Sequence, residues 1–390
     1  MRQLFVVVVL LGLLAPASAR AYPWMIRHGY SSCAACHTDP SGSGLLTPYG
    51  RAQSELLLAA TYGQVKEEVS PSTSFLFGAV PLPEWLNLGL SFRGGALVNK
   101  VPTSDARVRP LQMASDLRGQ ATFGQFRANA SVGIAVRRAL LASLTPWEGN
   151  NIVSREHWLA WDNEEQTVVV RAGRMNIPFG LRNAEHTTWV RERTRTDTNE
   201  HQQYGAAVAY NGDGLRGELM AIAGNFLLNP DLYRERGYAG YLEWSPRSDL
   251  ALGVSSLTTR ARYDVDTRLA GFWRQSHGLF GRWAVARPVV LMAEADVLLN
   301  ASREQDTGLG FTSLLQADVE PVQGLHILLS GETLTPVGNL GTSVGAGLGV
   351  GFVFLPQLEL RFDGFARRSP LPGGGGSQSF TVLSQLHLSL

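Results

Sequence analysis

The sequence predicts a mainly β protein, a transmembrane antiparallel β-barrel of about sixteen strands preceded by a small helical segment. Its 390 residues are 44% hydrophobic and only 17% charged, whereas about 25% of residues are charged in ordinary soluble domains. From Trp85 onward, segments of about ten residues alternate apolar with polar side chains and are separated by turn residues. After the N-terminal run, no apolar stretch reaches the roughly 17–25 residues that a membrane-spanning helix needs. These observations favour a barrel whose outer face meets lipid.

The N-terminus has the three parts of a secretory signal peptide. Arg2 supplies the basic start, Leu4 to Leu14 form the apolar run, and Ala17-Ser18-Ala19 offers a cleavage site with small residues. A membrane anchor is the alternative, but the run holds only about eleven apolar residues before Pro16, and a helical span needs roughly 17–25. We therefore expect residues 1–21 to be a removed signal peptide and the protein to be exported to a bacterial outer membrane.

The barrel is predicted for residues 85–390, with strands such as 154–163, 203–211 and 289–300. A soluble β-sandwich also has alternating strands. Two features count against it: the long uninterrupted series of strands, and charged side chains on the strand face opposite a uniformly apolar one. These charged residues are Arg93, Glu218, Glu294, Asp318, Glu332, Glu359 and Arg361. Outer-membrane barrels have this arrangement, with apolar residues toward lipid and polar residues toward the lumen.

Aromatic side chains near the strand ends are candidates for the girdles that such barrels carry at both membrane interfaces. They are Trp85, Trp158, Trp161, Tyr238, Trp244, Trp273 and Trp283.

The charge balance excludes another class of partner, because 34 basic and 33 acidic residues give a net charge of +1. Proteins that bind nucleic acid need a basic surface, so outer-membrane lipid is the expected environment and nucleic acid is not an expected partner.

The only two cysteines lie in the motif Cys33-Ala34-Ala35-Cys36-His37. The pattern Cys-x-x-Cys-His is typical of covalent c-type haem attachment, in which both thiols bind the porphyrin and the histidine is an axial iron ligand. A thioredoxin-like redox pair would need a βαβ setting. A structural zinc site would need a fourth ligand, and its Cys and His ligands normally have other spacings in the chain. A disulfide between the two cysteines would close a very small loop. We therefore predict one haem c, held by Cys33 and Cys36 with His37 on the iron.

The sixth iron ligand and the rest of the haem environment are less defined. Met25 or His28 could supply the ligand, and the alternative is an iron without a sixth ligand.

Thr47 as N-cap and Pro48 at the first helical position predict a short helix after the motif. Arg51 in this helix is a candidate partner for a haem propionate, the alternative being an arginine exposed to solvent.

Two stretches resemble known families. Cys33 to His37 together with Leu46-Thr47-Pro48-Tyr49-Gly50-Arg51 resembles the haem module of a little-characterised family of proteobacterial exported proteins. That family joins a monohaem c-type cytochrome segment to a predicted outer-membrane porin-like barrel, which implies a haem segment at 22–63 and a linker at 64–84. Ala172 to Leu181 resembles a strand-to-loop motif of phosphate-selective-type porins.

The loop after this second stretch is rich in arginine. Arg182, Arg191, Arg193 and Arg195 lie in it, interspersed with the acidic residues Glu185, Glu192 and Asp197. If this loop folds into the barrel, these pore-loop cations would favour anions. The alternative is that the loop lies at the rim of the barrel, where water solvates these arginines.

Two functions remain open. In the first, the barrel carries out electron transfer at the periplasmic face of the outer membrane, with periplasmic or outer-membrane cytochromes as partners. In the second, it is a diffusion porin for small solutes, with anions as one candidate class, and its haem segment is a plug, sensor or tether. One haem cannot by itself bridge a hydrocarbon core about 30 Å thick. An enzyme such as a peroxidase is not predicted, because no acid/base pair stands near the motif.

Overall fold

The computed structural model describes residues 23–63, 68–70, 73–101, 105–136, 141–145, 149–182, 187–338, 341–371 and 374–390. The predicted signal peptide at 1–21 lies outside these residues. The strands are β1 Leu86–Lys100, β2 Arg107–Phe123, β3 Phe126–Ala135, β4 Asn151–Val153, β5 His157–Asp162, β6 Val168–Met175, β7 Gln203–Gly212, β8 Leu215–Gly224, β9 Arg236–Arg247, β10 Leu250–Tyr263, β11 Ala270–Ala286, β12 Val289–Ala301, β13 Gly308–Val322, β14 Leu325–Thr335, β15 Ser343–Leu355, β16 Leu358–Pro370 and β17 Gly376–Ser389.

The helical elements of the described chain are short. An α-helix at Pro48–Gln53 continues as a π-helical turn at Ser54–Leu58, and a second α-helix spans Trp189–Thr194. Single 3₁₀ turns lie at Pro23–His28, Phe75–Gly78 and Asp231–Tyr233. As predicted, Pro48 begins its helix and the Thr47 hydroxyl accepts a hydrogen bond from the Gly50 amide at 3.0 Å. Within the described ranges, no helix has both the length and the apolar character needed to span a bilayer.

All strands join one antiparallel sheet that closes on itself, because β1 pairs with both β2 and β17. β4 and β5 both pair with β3 and share one place in the wall. The barrel therefore has sixteen strand positions, which confirms the predicted fold class. The strand predicted at 154–163 is observed only at His157–Asp162. Residues 154–156 separate it from β4, because the amides of Arg155 and Glu156 both donate to the Ser131 hydroxyl instead of continuing the ladder. Such a local disruption is typical of a β-bulge.

The connections between strands differ at the two ends of the barrel. At one end, the short-turn rim, strand pairs such as β7–β8 and β13–β14 are joined by two-residue turns. Gly214 and Gly324 in these turns have φ values of 70° and 88°, which side-chain-bearing residues rarely adopt. The other end, the long-loop rim, carries the loops 176–202 and 225–235. β1 begins and β17 ends at the short-turn rim.

The barrel is apolar outside and charged inside. Leu159, Leu219, Leu279 and Leu309 are all more than 60% exposed on the outer face. The interior holds buried charged residues that the alternation predicted there: Glu218, Glu294, Asp318, Glu332 and Arg361. This distribution is the reverse of a soluble protein and suits an outer surface in lipid.

The predicted aromatic girdle is present with one exception. Trp85, Trp161, Tyr238, Trp244, Trp273 and Trp283 are exposed. Trp158 is not, and its assignment to the girdle is wrong. It lies on the opposite face of β5 from Leu159 and is 3% exposed, with the Arg171 guanidinium 5.2 Å from its ring centre. Residues on a strand alternate between faces, so Trp158 points into the barrel.

Candidate functional site

Residues 23–63, which we call the plug, lie inside the barrel beside the short-turn rim. Arg27 donates one hydrogen bond to Asp318 and another, of 2.9 Å, to Glu320, both on β13. The side chains of Arg27 and Asp318 are 1% and 0% exposed. This buried ion pair attaches the plug to one side of the barrel wall.

Asp39 attaches the plug to a different part of the wall. Its buried carboxylate forms a 3.0 Å ion pair with Arg171 on β6, and it accepts a 3.0 Å hydrogen bond from Asn176. Burial alone would raise the pKa of Asp39, but the guanidinium groups of Arg171 and Arg182 bring it down to about 2. The carboxylate is therefore charged at neutral pH. Arg171 also donates to Glu218, so the plug joins a buried network of opposite charges.

The Cys33 to His37 motif forms a single tight turn. The amides of Cys36 and His37 both donate to the Cys33 carbonyl oxygen, at 3.2 and 3.0 Å. The two thiols are free rather than joined in a disulfide. Gly42 packs against the motif with a φ of 87°, and a Cβ at this position would lie 2.5 Å from the Cys33 Cβ. Glycine is therefore required for the chain to pass this close.

The motif borders a cavity of about 290 Å³ between the plug and the barrel wall, near the lower end of the about 300–1,000 Å³ of small-molecule sites. Cys33, Cys36 and His37 all line it. Apolar side chains and arginines form much of the remaining lining: Met25, Leu45, Leu46, Leu90, Leu358, Arg51, Arg93, Arg118, Arg182 and Arg282. The cavity reaches β1 at residues 89–93, so it lies in the half of the barrel next to the short-turn rim.

This lining suits a covalently attached haem c. Two free thiols and an imidazole face one space, apolar walls can cover a porphyrin, and arginines can pair with its carboxylates. Arg182 donates through Nη2 to the Ser41 hydroxyl at 3.0 Å, but its buried Nη1 has no hydrogen-bond partner among the described residues. Burial also lowers the pKa of Arg182 and of Arg51. An anionic group in the cavity would stabilise both guanidinium ions.

The two residues predicted as sixth ligand differ in position. Met25 lines the cavity, whereas His28 does not. A histidine that the sequence analysis did not single out, His387 on β17, also lines it. Strand alternation with the exposed Leu386 could have placed His387 on the lumen face. Only the position of the plug, however, brings His387 to the same cavity as His37.

Residues 176–202, the inward loop, pass from β6 into the lumen before returning to β7. The Leu181 amide donates to Glu294 on β12 at 3.0 Å, and the Trp189 amide donates to Glu332 on β14 at 3.1 Å. Residues 183–186, which include the acidic Glu185, lie outside the described part. The loop therefore occupies the lumen and reaches strands far from its own.

The four predicted pore-loop cations have different surroundings. Arg191 is buried and paired with Glu294. Arg195 pairs with Asp264 at 2.7 Å and with two further carboxylates, and Arg182 lines the cavity of the motif. The Arg193 side chain is 45% exposed. Most of the positive charge of the loop is thus already matched by carboxylates, and anion preference stays a prediction.

Arg191 and Arg193 offer a matched test of what holds the inward loop. Arg191→Ala is expected to destabilise the loop by about 3–5 kcal/mol, because Glu294 would keep a buried charge without its partner. Arg193→Ala removes an exposed charge and is expected to cost less than about 1 kcal/mol. Hydrogen exchange of loop peptides measures both. Equal protection in the two variants would show that the Arg191–Glu294 pair does not hold the loop.

The fold defined by these features is that of porin-type outer-membrane β-barrels. It is similar to the loop L8 deletion mutant of OmpT, an outer-membrane protein of Vibrio cholerae, at 9% identity and a TM-score of 0.59, over 77% of this chain and 98% of that one. It is also similar to an anion-selective porin from Comamonas acidovorans, at 13% identity and a TM-score of 0.57, over 78% and 99%.

A third similar structure is the outer-membrane channel DcaP of Acinetobacter baumannii, at 11% identity and a TM-score of 0.56, over 78% of this chain and 97% of that one. At such low identities the similarity concerns the fold. No protein-family model and no curated protein matches this chain.

Proposed function

We propose that this protein is an outer-membrane barrel that carries one covalent haem c in its lumen and transfers single electrons at the periplasmic face. The observation that carries the proposal is that Cys33, Cys36 and His37 line one cavity enclosed by the plug and the barrel wall. Short turns are periplasmic in outer-membrane barrels. The short-turn rim, and with it the cavity, would therefore face the periplasm.

The residues that line the cavity would bind different parts of the haem. Cys33 and Cys36 would hold the porphyrin through two thioether bonds, each made by addition of S–H across one vinyl double bond without a change in total electron count. His37 would be a ligand of the iron, and Arg51 and Arg182 would pair with the haem carboxylates. When bound, haem c supplies one-electron transfer. The partner must be a one-electron carrier that reaches the short-turn rim, and a periplasmic cytochrome has the required chemistry.

The second candidate function is a diffusion porin in which the haem segment is only a plug, sensor or tether. The similarity of the fold to an anion-selective porin favours it. Two features of the lumen oppose it. The plug occupies the half beside the short-turn rim, and the inward loop crosses the interior to β12 and β14. Both reduce the space through which a solute could pass.

Liposomes containing the purified haem protein distinguish the two functions. We expect a reduced cytochrome c added on the side of the short-turn rim to reduce the haem, while entrapped sugars and anions leave slowly. The Cys33→Ala/Cys36→Ala variant is the control without covalent haem. Rapid solute loss, combined with a haem that does not exchange electrons with the cytochrome, would contradict electron transfer and favour the porin.

A further inference from the structure

We propose that His387 of β17 is the second axial ligand of the haem iron, so that the barrel wall completes a coordination begun by His37 in the plug. This inference rests on the proposed attachment of haem c at Cys33 and Cys36. It assigns a role to a residue 350 positions away from the motif. It also makes the iron a link between the plug and the barrel wall.

The first argument is position. Among the histidines that the structure describes, only His37 and His387 line the cavity. The two come from different parts of the molecule, His37 from the plug and His387 from the wall strand β17. The His387 side chain is 31% exposed, so part of its imidazole is open rather than covered by protein. An imidazole open to the cavity is available for a metal.

The second argument is the polar setting of the imidazole. The Glu359 carboxylate on β16 lies 3.6 Å from Nδ1 of His387, and the Ser91 hydroxyl on β1 lies 3.5 Å from Nε2. Metal-binding histidines commonly have a carboxylate or carbonyl at the nitrogen that does not bind the metal, which fixes the tautomer and the ring orientation. Glu359 is the carboxylate on the Nδ1 side, and it would serve Nδ1 in this way once the 3.6 Å separation closes to hydrogen-bond distance. The contact of Nε2 with Ser91 is longer than the about 2.7–3.2 Å of ordinary hydrogen bonds, so Nε2 can exchange it for iron.

The two ligands predicted from the sequence are less well placed. His28 does not line the cavity. Met25 does, but only 2% of this residue is exposed, so it is almost entirely enclosed by protein. The Met25 thioether is already packed within the plug and must leave that packing to reach a metal. The imidazole of His387 needs no such change.

Spectroscopy of the full-length protein with its covalent haem tests the assignment. Wild-type ferric haem is expected to be six-coordinate and low-spin, with electron paramagnetic resonance and near-infrared magnetic circular dichroism typical of two histidine ligands. His387→Ala should keep the covalent haem on denaturing gels but convert most of it to the high-spin form, and added imidazole should restore the low-spin form. His387→Met should raise the midpoint potential, because methionine ligation raises the potential relative to histidine.

Matched variants separate His387 from the other candidates. Met25→Leu and His28→Ala should both remain low-spin, as should His277→Ala, whose imidazole bonds to Ser256 on neighbouring β10 and lies away from the cavity. A low-spin His387→Ala variant, or a histidine–methionine signature in the wild type, would overturn the assignment. If His387→Ala does not assemble, a high-spin Met25→Leu or His28→Ala variant would overturn it too. A wild type without covalent haem would instead overturn the proposed function.

Discussion

The Cys33→Ala/Cys36→Ala variant is expected to lose all covalently bound haem while keeping its barrel. In the proposed attachment each thiol would provide one of the two bonds that hold the porphyrin through denaturation, so no haem should survive on a denaturing gel when both are absent. The barrel should persist because its sixteen strand positions are held by continuous backbone pairing that does not involve the motif. Haem staining measures the first effect, and heat-dependent gel mobility measures the second.

Ala35→Ser is the matched control for this experiment. Ala35 lies between the two cysteines and is exposed, so the substitution changes the motif sequence but leaves both thiols and His37 in place. Its haem staining should equal that of the wild type. Retention of covalent haem by the double cysteine variant would show that the motif does not attach haem.

The Arg27→Ala/Asp39→Ala variant is expected to release the plug and to raise ion conductance through the barrel several-fold. Arg27 is paired with Asp318 and Glu320, and Asp39 is paired with Arg171. Removing one partner of a buried ion pair costs about 3–5 kcal/mol. The two pairs share no residue and so should add approximately. Conductance in planar bilayers measures the opening, and protease cleavage of residues 23–63 measures the release.

Arg247→Ala provides the comparison for these buried pairs. Arg247 and Asp249 form a 2.7 Å ion pair beside a turn at the short-turn rim, with side chains 58% and 40% exposed. Exposed pairs contribute little to stability because solvent screens them, so this variant should keep the conductance and protease resistance of the wild type. If the double variant behaves in the same way, the buried pairs do not hold the plug.

The strands could be predicted because alternation is a local property. The strand predicted at 203–211 is observed at Gln203–Gly212, and the one predicted at 289–300 at Val289–Ala301. A side chain on a strand faces one of only two directions, so two or three neighbours are enough to assign its face. The same rule placed Glu294 and Asp318 inside. The interruption at Ser154–Glu156 could not be predicted, because it depends on the hydroxyl of Ser131 in another strand.

The candidate site was predictable only where its residues are adjacent in the chain. The motif from Cys33 to His37 is a local signal, as is the helix start at Thr47 and Pro48. The surroundings of the motif are not local. His387, Arg118 and Arg182 lie on β17, on β2 and in the inward loop, and they share a cavity with Cys33 only because the plug occupies the lumen. Likewise, the sequence placed Arg191 among the pore-loop cations, but its pairing with Glu294 across the lumen became apparent only from the structure.

The sequence by itself determined the class of barrel, the lumen-facing charges on most strands and the motif that predicts haem c. These depend on periodicity and on short spacings, which neighbouring residues are sufficient to define. The tertiary structure decided where the N-terminal segment lies, which charges neutralise one another and which histidine of the wall shares a cavity with His37. Those relations join residues far apart in the chain, and they are set by which buried charges find partners when the plug enters the barrel.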